Sequence, residues 1–362
     1  MYVAKKLYLC TRFMSRRTMI LLSIVSITVF LLLVMLWVFH HPAFGPHPFG
    51  RTGKHYTNEL LTPQFTGERK SGLVAIWHFL TDKTNQRVPE NPVEIVKTDL
   101  SRLPSDKDWF VWFGHSSYLF SIGGKKVLVD PVLKMEFPAS LMMKPFAGTD
   151  YYQPQMLPEI DLLVITHEHW DHLDYATLRD LRPKIKRVVC PEGIKAYLTM
   201  WGYPEQKITE MGWYDQSQIT VQPSPLTVTC LPTRHFSNRL FGANKTLWAS
   251  FMLDFNGRKV YIGGDGGYDD RFARIRQRFG EVDLAIMENG QYNTNWAFIH
   301  MLPKDLERAM LDLQAKQYIT VHHDKFSLAP HAWNEPDSVA QQIAAKDHLR
   351  VLDQPIGAVV YW

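Results

Sequence analysis

Short alternating apolar and polar runs fill most of this 362-residue chain, but residues 19–39 break the pattern. They read MILLSIVSITVFLLLVMLWVF, 21 residues without a charged side chain. A helix rising about 1.5 Å per residue carries such a run across the roughly 30 Å hydrocarbon core of a bilayer. A helix apolar on every face has no polar side to offer water, so a single transmembrane helix is expected. Lys5, Lys6, Arg12, Arg16 and Arg17 precede it, only Arg51 and Lys54 follow closely, and Glu59 is the first acidic residue. That asymmetry places residues 1–18 in the cytoplasm as a basic tail and the remainder across the membrane. In a bacterial cell this means a single-pass inner-membrane protein with its main domain in the periplasm. A cleaved signal peptide is the alternative. Against it, the run exceeds the usual h-region and lacks an A-x-A site.

After the span, residues 40–108 are rich in Pro, Gly and charge and read as a tether and lead-in that wraps the main domain, with one helix at 71–80. From 109 to 362 the pattern becomes strand-like. Runs at 109–113, 117–122, 126–129, 162–165, 187–189, 227–231, 248–255, 259–262, 284–287 and 318–321 are short and apolar or alternating. Gly123-Gly124 and Asn256-Gly257 supply hairpin turns. Helical periodicity marks 175–181, 270–278, 303–314 and 335–345. Strand pairs with interspersed helices predict a mixed α/β (α+β) domain, two packed sheets with helices outside.

Composition narrows the chemistry. The apolar share of 46% allows a large core, and a net charge of +4 with no strong basic run gives no footprint for nucleic acid. Cys10, Cys190 and Cys230 show no CxxC spacing, so a thiolate metal site is not expected. A Cys190–Cys230 bridge is conceivable, with two buried free thiols the preferred reading.

The chemistry concentrates in Thr166-His167-Glu168-His169-Trp170-Asp171-His172, on the loop leaving an apolar strand. Three imidazoles and a carboxylate within six residues match the ligand preference of zinc. Such a cluster is too short to enclose two metals, so further ligands are sought at later strand ends. His235, Asp265 (in Gly263-Gly264-Asp265-Gly266-Gly267) and His322 each follow a predicted strand, and His323 competes with His322.

The order His-x-His-x-Asp-His, then His, Asp and His, resembles the metallo-β-lactamase superfamily. The resemblance implies a four-layer αββα sandwich preceded here by the transmembrane helix, with two Zn²⁺ or similar divalent ions between the sheets. By that likeness His167, His169 and His235 hold one metal. Asp171, His172 and His322 hold the other, Asp265 bridges both, and His322 is preferred over His323. Phe113-Gly114-His115-Ser116-Ser117, Val129-Asp130-Pro131, Gly264-Asp265-Gly266-Gly267-Tyr268, and His300 before Pro303, are similar to the branch containing the N-acylphosphatidylethanolamine-hydrolysing phospholipase D. Met287-Glu288-Asn289-Gly290 and His323-Asp324-Lys325 depart from it.

Two ions about 3.5–4 Å apart share a hydroxide that attacks phosphorus or carbonyl carbon. The expected function is therefore membrane-anchored phospholipid phosphodiester hydrolysis, phospholipase D-like, with the bilayer and a lipid or small molecule as partners. Lactone or amide hydrolysis is the second reading and a non-catalytic, membrane-tethered metal binder the third. Asp171 is expected to orient the nucleophile and His300 and His115 to bind or protonate substrate. Asp130 is expected to orient the metal loops, Glu168 to be a solvated or structural carboxylate, and Glu288 to line the pocket. Trp201, Trp213, Trp248 and Trp296 are candidates for lying on a bilayer, with core or rim packing the alternative for most.

Overall fold

Alternate side chains of the early strands go to opposite sides of a sheet. Phe110 and Trp112 join one apolar cluster, while Trp109, Val111 and Phe113 join another. The computed structural model describes residues 15–46, 54–66, 86–221, 224–239 and 243–362, so the helix expected at 71–80 lies outside the described residues.

Strands β1 (Trp109–Trp112), β2 (Tyr118–Ile122), β3 (Lys125–Val129), β4 (Ile160–Val164), β5 (Ile185–Pro191) and β6 (Ile208–Met211) lie side by side in one sheet. Strands β7 (Gln216–Ile219), β8 (Leu226–Leu231), β9 (Ser250–Phe255), β10 (Arg258–Ile262), β11 (Leu284–Glu288) and β12 (Tyr318–Val321) form the second, in reverse order across it. Strand β13 (Val359–Tyr361) returns to the first sheet, antiparallel to β1. Each sheet begins with antiparallel neighbours and continues parallel. In the first, β3 through β6 run parallel. In the second, β10, β11 and β12 do. Strands that run parallel end on the same side, and their exit loops gather at one edge of the sandwich.

The inner faces meet in a core that includes Phe120, Val129, Val164, Val228, Phe251, Ile262 and Ile286. Helices α3 (Tyr175–Leu181) and α4 (Lys195–Met200) cover the outer face of the first sheet through Leu178, Leu181, Tyr197 and Leu198. Helices α5 (Arg271–Phe279), α6 (Pro303–Leu313) and α7 (Glu335–Asp347) cover the second through Phe272, Ile275, Leu306, Met310 and Ile343. The result is the αββα sandwich implied by the resemblance. Helix α1 (Arg16–His40), capped by the Ser15 hydroxyl, contains the expected span with no residue buried, and α2 (Ala139–Met142) is a single turn. By length and composition α1 is able to cross a membrane.

The strands and α-helices absent from the sequence reading are β6, β7, β13, α2 and α4. All three strands lie at sheet edges, and β7 buries only Ile219. An edge strand half in water carries too few apolar positions to declare itself. Asn256 and Gly257 have φ of 54° and 87°, the left-handed conformations that a tight β9–β10 hairpin demands. Cys190 and Cys230 are buried free thiols.

Residues 41–108 wrap the domain wherever they are described. Lys54 and Tyr56 donate to Glu192, and Val93 and Ile95 pack on the inter-sheet core. Immediately after α1, Trp201 Nε1 donates to Pro42 O (2.9 Å) and Arg239 Nε to Ala43 O (2.8 Å). Trp201 and Trp248 are buried and Trp213 is half-buried. None of these three forms an exposed bilayer face, whereas Trp296 stands at the rim of a cleft.

Phe251→Ala empties a fully buried position between the sheets. It is expected to cost about 3–5 kcal/mol, measured as a lowered denaturation midpoint of detergent-solubilised protein. A loss below about 1 kcal/mol would contradict this account of the core.

Candidate metal centre

Strand β4 ends at Val164, and the chain then turns through Thr166–His172 at the open end of the sandwich. Asp130, at the end of β3, fixes that turn. Its Oδ1 accepts from Thr166 N (2.8 Å) and its Oδ2 accepts from Thr166 Oγ1 (2.5 Å). Asp130 Oδ2 also lies 2.8 Å from His172 Nδ1, which leaves Nε2 to face the cluster. A carboxylate behind an imidazole in this way sets the tautomer and ring orientation of a metal ligand. This is the orienting role the sequence suggested for Asp130.

The later strands deliver the rest. His235 follows β8, and its Nδ1 donates to Ile299 O (2.9 Å). Asn58 clamps the backbone of His235, donating to its carbonyl and accepting from its N–H. Asp265 follows β10 in the Gly-rich turn. A Cβ at Gly266 would lie 1.9 Å from Thr233 Oγ1 and one at Gly267 would lie 2.2 Å from Phe298 O, so only glycine admits this close approach. His322 follows β12 and points into the cluster, whereas the ring of His323 packs at a tilt against Trp112. The structure thus brings His322, not its neighbour, to the site.

Two groups of ligand atoms share Asp265. In the first, His169 Nδ1 lies 2.9 Å from His167 Nε2 and 3.2 Å from His235 Nε2. Asp265 Oδ2 is 3.8 Å from both of those Nε2 atoms. In the second, Asp265 Oδ2 is 3.2 Å from His172 Nε2 and 3.1 Å from His322 Nε2, and Asp171 Oδ2 is 3.5 Å from His322 Nε2. Ligands held at about 2.0–2.2 Å around one ion stand roughly 3.0–3.5 Å from each other. The donor set and its spacing therefore fit a pair of divalent ions, with Asp265 between them. All seven predicted ligands come together.

The charges are divided unequally. Burial, with His322 and His172 nearby, lowers His115 to about 3 despite Asp171. Burial also lowers His169 to about 4, and lowers His167 and His235 well below the usual histidine range. Burial would lower His172 and His322 too, but Asp265 and Asp171 outweigh it and raise His172 well above normal and His322 to about 10. Burial would raise Asp171 and Asp265, yet the imidazoles hold both well below the carboxylate range.

The remaining candidates separate. His115 is fully buried behind Asp171, its Nε2 2.8 Å from Asp171 Oδ2, and it does not line the cleft. It holds Asp171 and has no route to substrate. His300 does line the cleft, with Nδ1 3.0 Å from Glu288 Oε2. Glu288 is buried, accepts from Met301 N, and stands with Asp265, His300 and His322 in one cluster, behind the cleft wall and not along it. Glu168 is buried, not solvated, and accepts from Tyr197 OH (2.6 Å). Sequence reasoning overlooked Asn58, Tyr197 and Arg239, whose partners lie far along the chain. It also overlooked Phe65, Phe236, Gln291 and Leu328, which wall the cleft.

Because burial lowers His167, His169 and His235 while Asp265 and Asp171 raise His172 and His322, loading metal at pH 7 is expected to release about two protons per chain from the imidazoles, and about one more from water where a hydroxide forms. Calorimetric titration in buffers of different ionisation enthalpy measures this. Release near zero or near five contradicts the charge division.

Residues 125–323 match the profile of the beta-lactamase superfamily domain. An uncharacterised protein of Mycobacterium tuberculosis is 35% identical over 292 residues, covering 79% of this chain and 77% of that one. The N-acyl-phosphatidylethanolamine-hydrolyzing phospholipase D 1 of Caenorhabditis elegans is 26% identical over 325 residues, covering 83% and 89%. Among solved structures, the metallo hydrolase Igni18 of Ignicoccus hospitalis superposes with a TM-score of 0.52 at 19% identity, over 71% of this chain and 98% of that one. With its two-sheet architecture and a match spanning more than half its length, this chain belongs to the beta-lactamase superfamily, as a metal-dependent hydrolase.

Proposed function

We propose that the protein is a membrane-anchored hydrolase using two zinc or similar divalent ions, acting on the phosphodiester of a membrane phospholipid of the N-acylphosphatidylethanolamine type. The observation that carries this is a narrow cleft of about 260 Å³ with His169, Asp171, Asp265, His300 and His322 at its base and Phe65, Phe236, Trp296, Ile299 and Leu328 along its walls. Polar chemistry beneath apolar walls suits a molecule with a reactive head and a hydrocarbon body. Among the described residues no Lys or Arg lines the cleft, which disfavours a nucleic acid or other polyanion.

Ions held by His167, His169 and His235 and by Asp171, His172 and His322, with Asp265 shared, would supply a hydroxide nucleophile near neutral pH and offset charge on the phosphoryl oxygens. The protein's own groups do the rest. Asp171, held on one oxygen by His115, keeps a fixed carboxylate at the point of attack. His300, its Nδ1 committed to Glu288, offers Nε2 to protonate the leaving oxygen. The aromatic walls exclude water from the leaving group's side.

Placement at a bilayer is supported by α1 and by what surrounds its end. Trp37 packs 5.1 Å from Phe137, and Phe137 and Leu141 are exposed beside it. Apolar side chains next to an anchor's exit are suited to the interfacial layer.

A second reading, lactone or amide hydrolysis, is favoured by the absence of Lys and Arg from the cleft among the described residues, since a neutral carbonyl enters it as easily. Detergent-solubilised protein is to be assayed against N-acylated phospholipids, chromogenic phosphodiesters and lactones. Release of phosphatidic acid is the expected result, and turnover of lactones alone sinks the lipid reading.

His169→Ala and Asp171→Ala are expected to lose metal and activity together, read by elemental analysis alongside rate. Retention of both ions in the doubly substituted protein overturns the ligand assignment. His300→Gln is expected to keep its metals but lose about 10²–10⁴-fold in kcat, with the loss greatest for poor leaving groups. An unchanged rate removes His300 from the mechanism.

A further inference from the structure

His322 and His323 leave β12 toward different cavities. His322 lines the catalytic cleft, whereas the ring of His323, fully buried, lies tilted 4.6 Å from that of Trp112 at the wall of a second cavity of about 610 Å³. Asp324 and Asp337 line that second cavity and face His323 from two elements. Asp324 follows β12 directly, and Asp337 stands in the first turn of α7.

We propose that His323, Asp324 and Asp337 form a further divalent-metal site, separate from the catalytic pair. His323 Nδ1 lies 3.0 Å from Asp324 Oδ1 and 3.7 Å from Asp337 Oδ1. These separations fall within the range found in the catalytic cluster, where Asp265 stands 3.1–3.8 Å from four imidazoles. The shorter is also an edge expected of ligands around one ion at about 2.0–2.2 Å. Yet among the described residues neither ring nitrogen of His323, nor Asp324 Oδ1, is aligned for a hydrogen bond. Buried polar atoms almost always find a partner. One cation between them would satisfy the Nδ1 of the imidazole and both carboxylates together.

The surroundings agree in sign. Glu90, Glu94 and Asp353 also line the cavity, and among the described residues no Lys or Arg does. An imidazole with two carboxylates suits manganese or zinc better than calcium or magnesium, which prefer all-oxygen shells. Asp337 is 46% exposed at its side chain, so water from the open cavity is able to complete the coordination. Asp324 has φ 62° and His322 has φ 79°, so the chain is bent sharply on either side of His323. An ion there would pin this bend and so hold the last catalytic ligand in place, whichever bond the catalytic site cleaves.

Anomalous diffraction from crystals of the whole chain soaked in MnCl₂, and separately in ZnCl₂, tests the site directly. A peak within about 2.3 Å of His323 Nδ1, Asp324 Oδ1 and Asp337 Oδ1 is expected. Its absence in both soaks overturns the proposal. In parallel, Asp337→Asn, a half-exposed position that leaves the fold intact, is expected to bind one ion fewer than the unsubstituted protein after equilibration with manganese and gel filtration. Equal ion counts overturn it as well.

Discussion

The carboxylate of Asp265 lies within 3.8 Å of four imidazoles, those of His167, His172, His235 and His322. Two of these histidines arrive on the loop after β4 of the first sheet, and two follow β8 and β12 of the second. The carboxylate itself is buried and would resist charge, but it stays ionised because the imidazoles around it favour that form. Its place depends on a turn that only glycine can make. The inter-sheet core, the parallel strand ends and the Gly-rich turn converge on holding one negative oxygen between two groups of ligands.

A layer behind the ligands makes that arrangement rigid. Asp130 grips Thr166 and His172 together, Asn58 grips the backbone of His235, and His115 grips Asp171. Such outer partners typically carry about 10–100-fold in metal affinity or activity. In this chain they come from β3, from the segment before the domain and from the turn after β1. The ligand positions are therefore set by the whole sandwich, and no local motif would hold them alone.

The ligand set was legible in the sequence because each ligand follows an apolar run, and a buried strand is the easiest element to recognise from pattern. The same logic found ten of the strands and the four longer helices of the domain. It did not find β6 and β7, which carry few apolar residues, nor β13, only three residues long, nor α2 and α4, of four and six residues. Asn58, Tyr197 and Arg239 were illegible for another reason. Asn58 meets His235 across 177 positions of sequence and Arg239 meets Glu168 across 71, and no spacing rule announces such contacts. His115 carried a real signal in its motif, but burial behind Asp171 decides its role, and burial is a property of the folded chain.

Arg239 joins the stretch that follows helix α1 to the catalytic loop. Its Nε donates to Ala43 O, its Nη1 donates to Glu168 O (2.6 Å), and its guanidinium lies 4.0 Å from the ring of Trp170. One buried cation thus touches the chain three residues beyond the helix and the chain between two metal ligands. The hydrolase is accordingly no balloon on a string. Its cleft is held at a set height and angle to the stretch that follows helix α1, as a tool is by a rigid handle. Cutting the handle off below residue 43 to obtain a soluble enzyme would strip a carbonyl from that guanidinium and loosen the loop the enzyme works with.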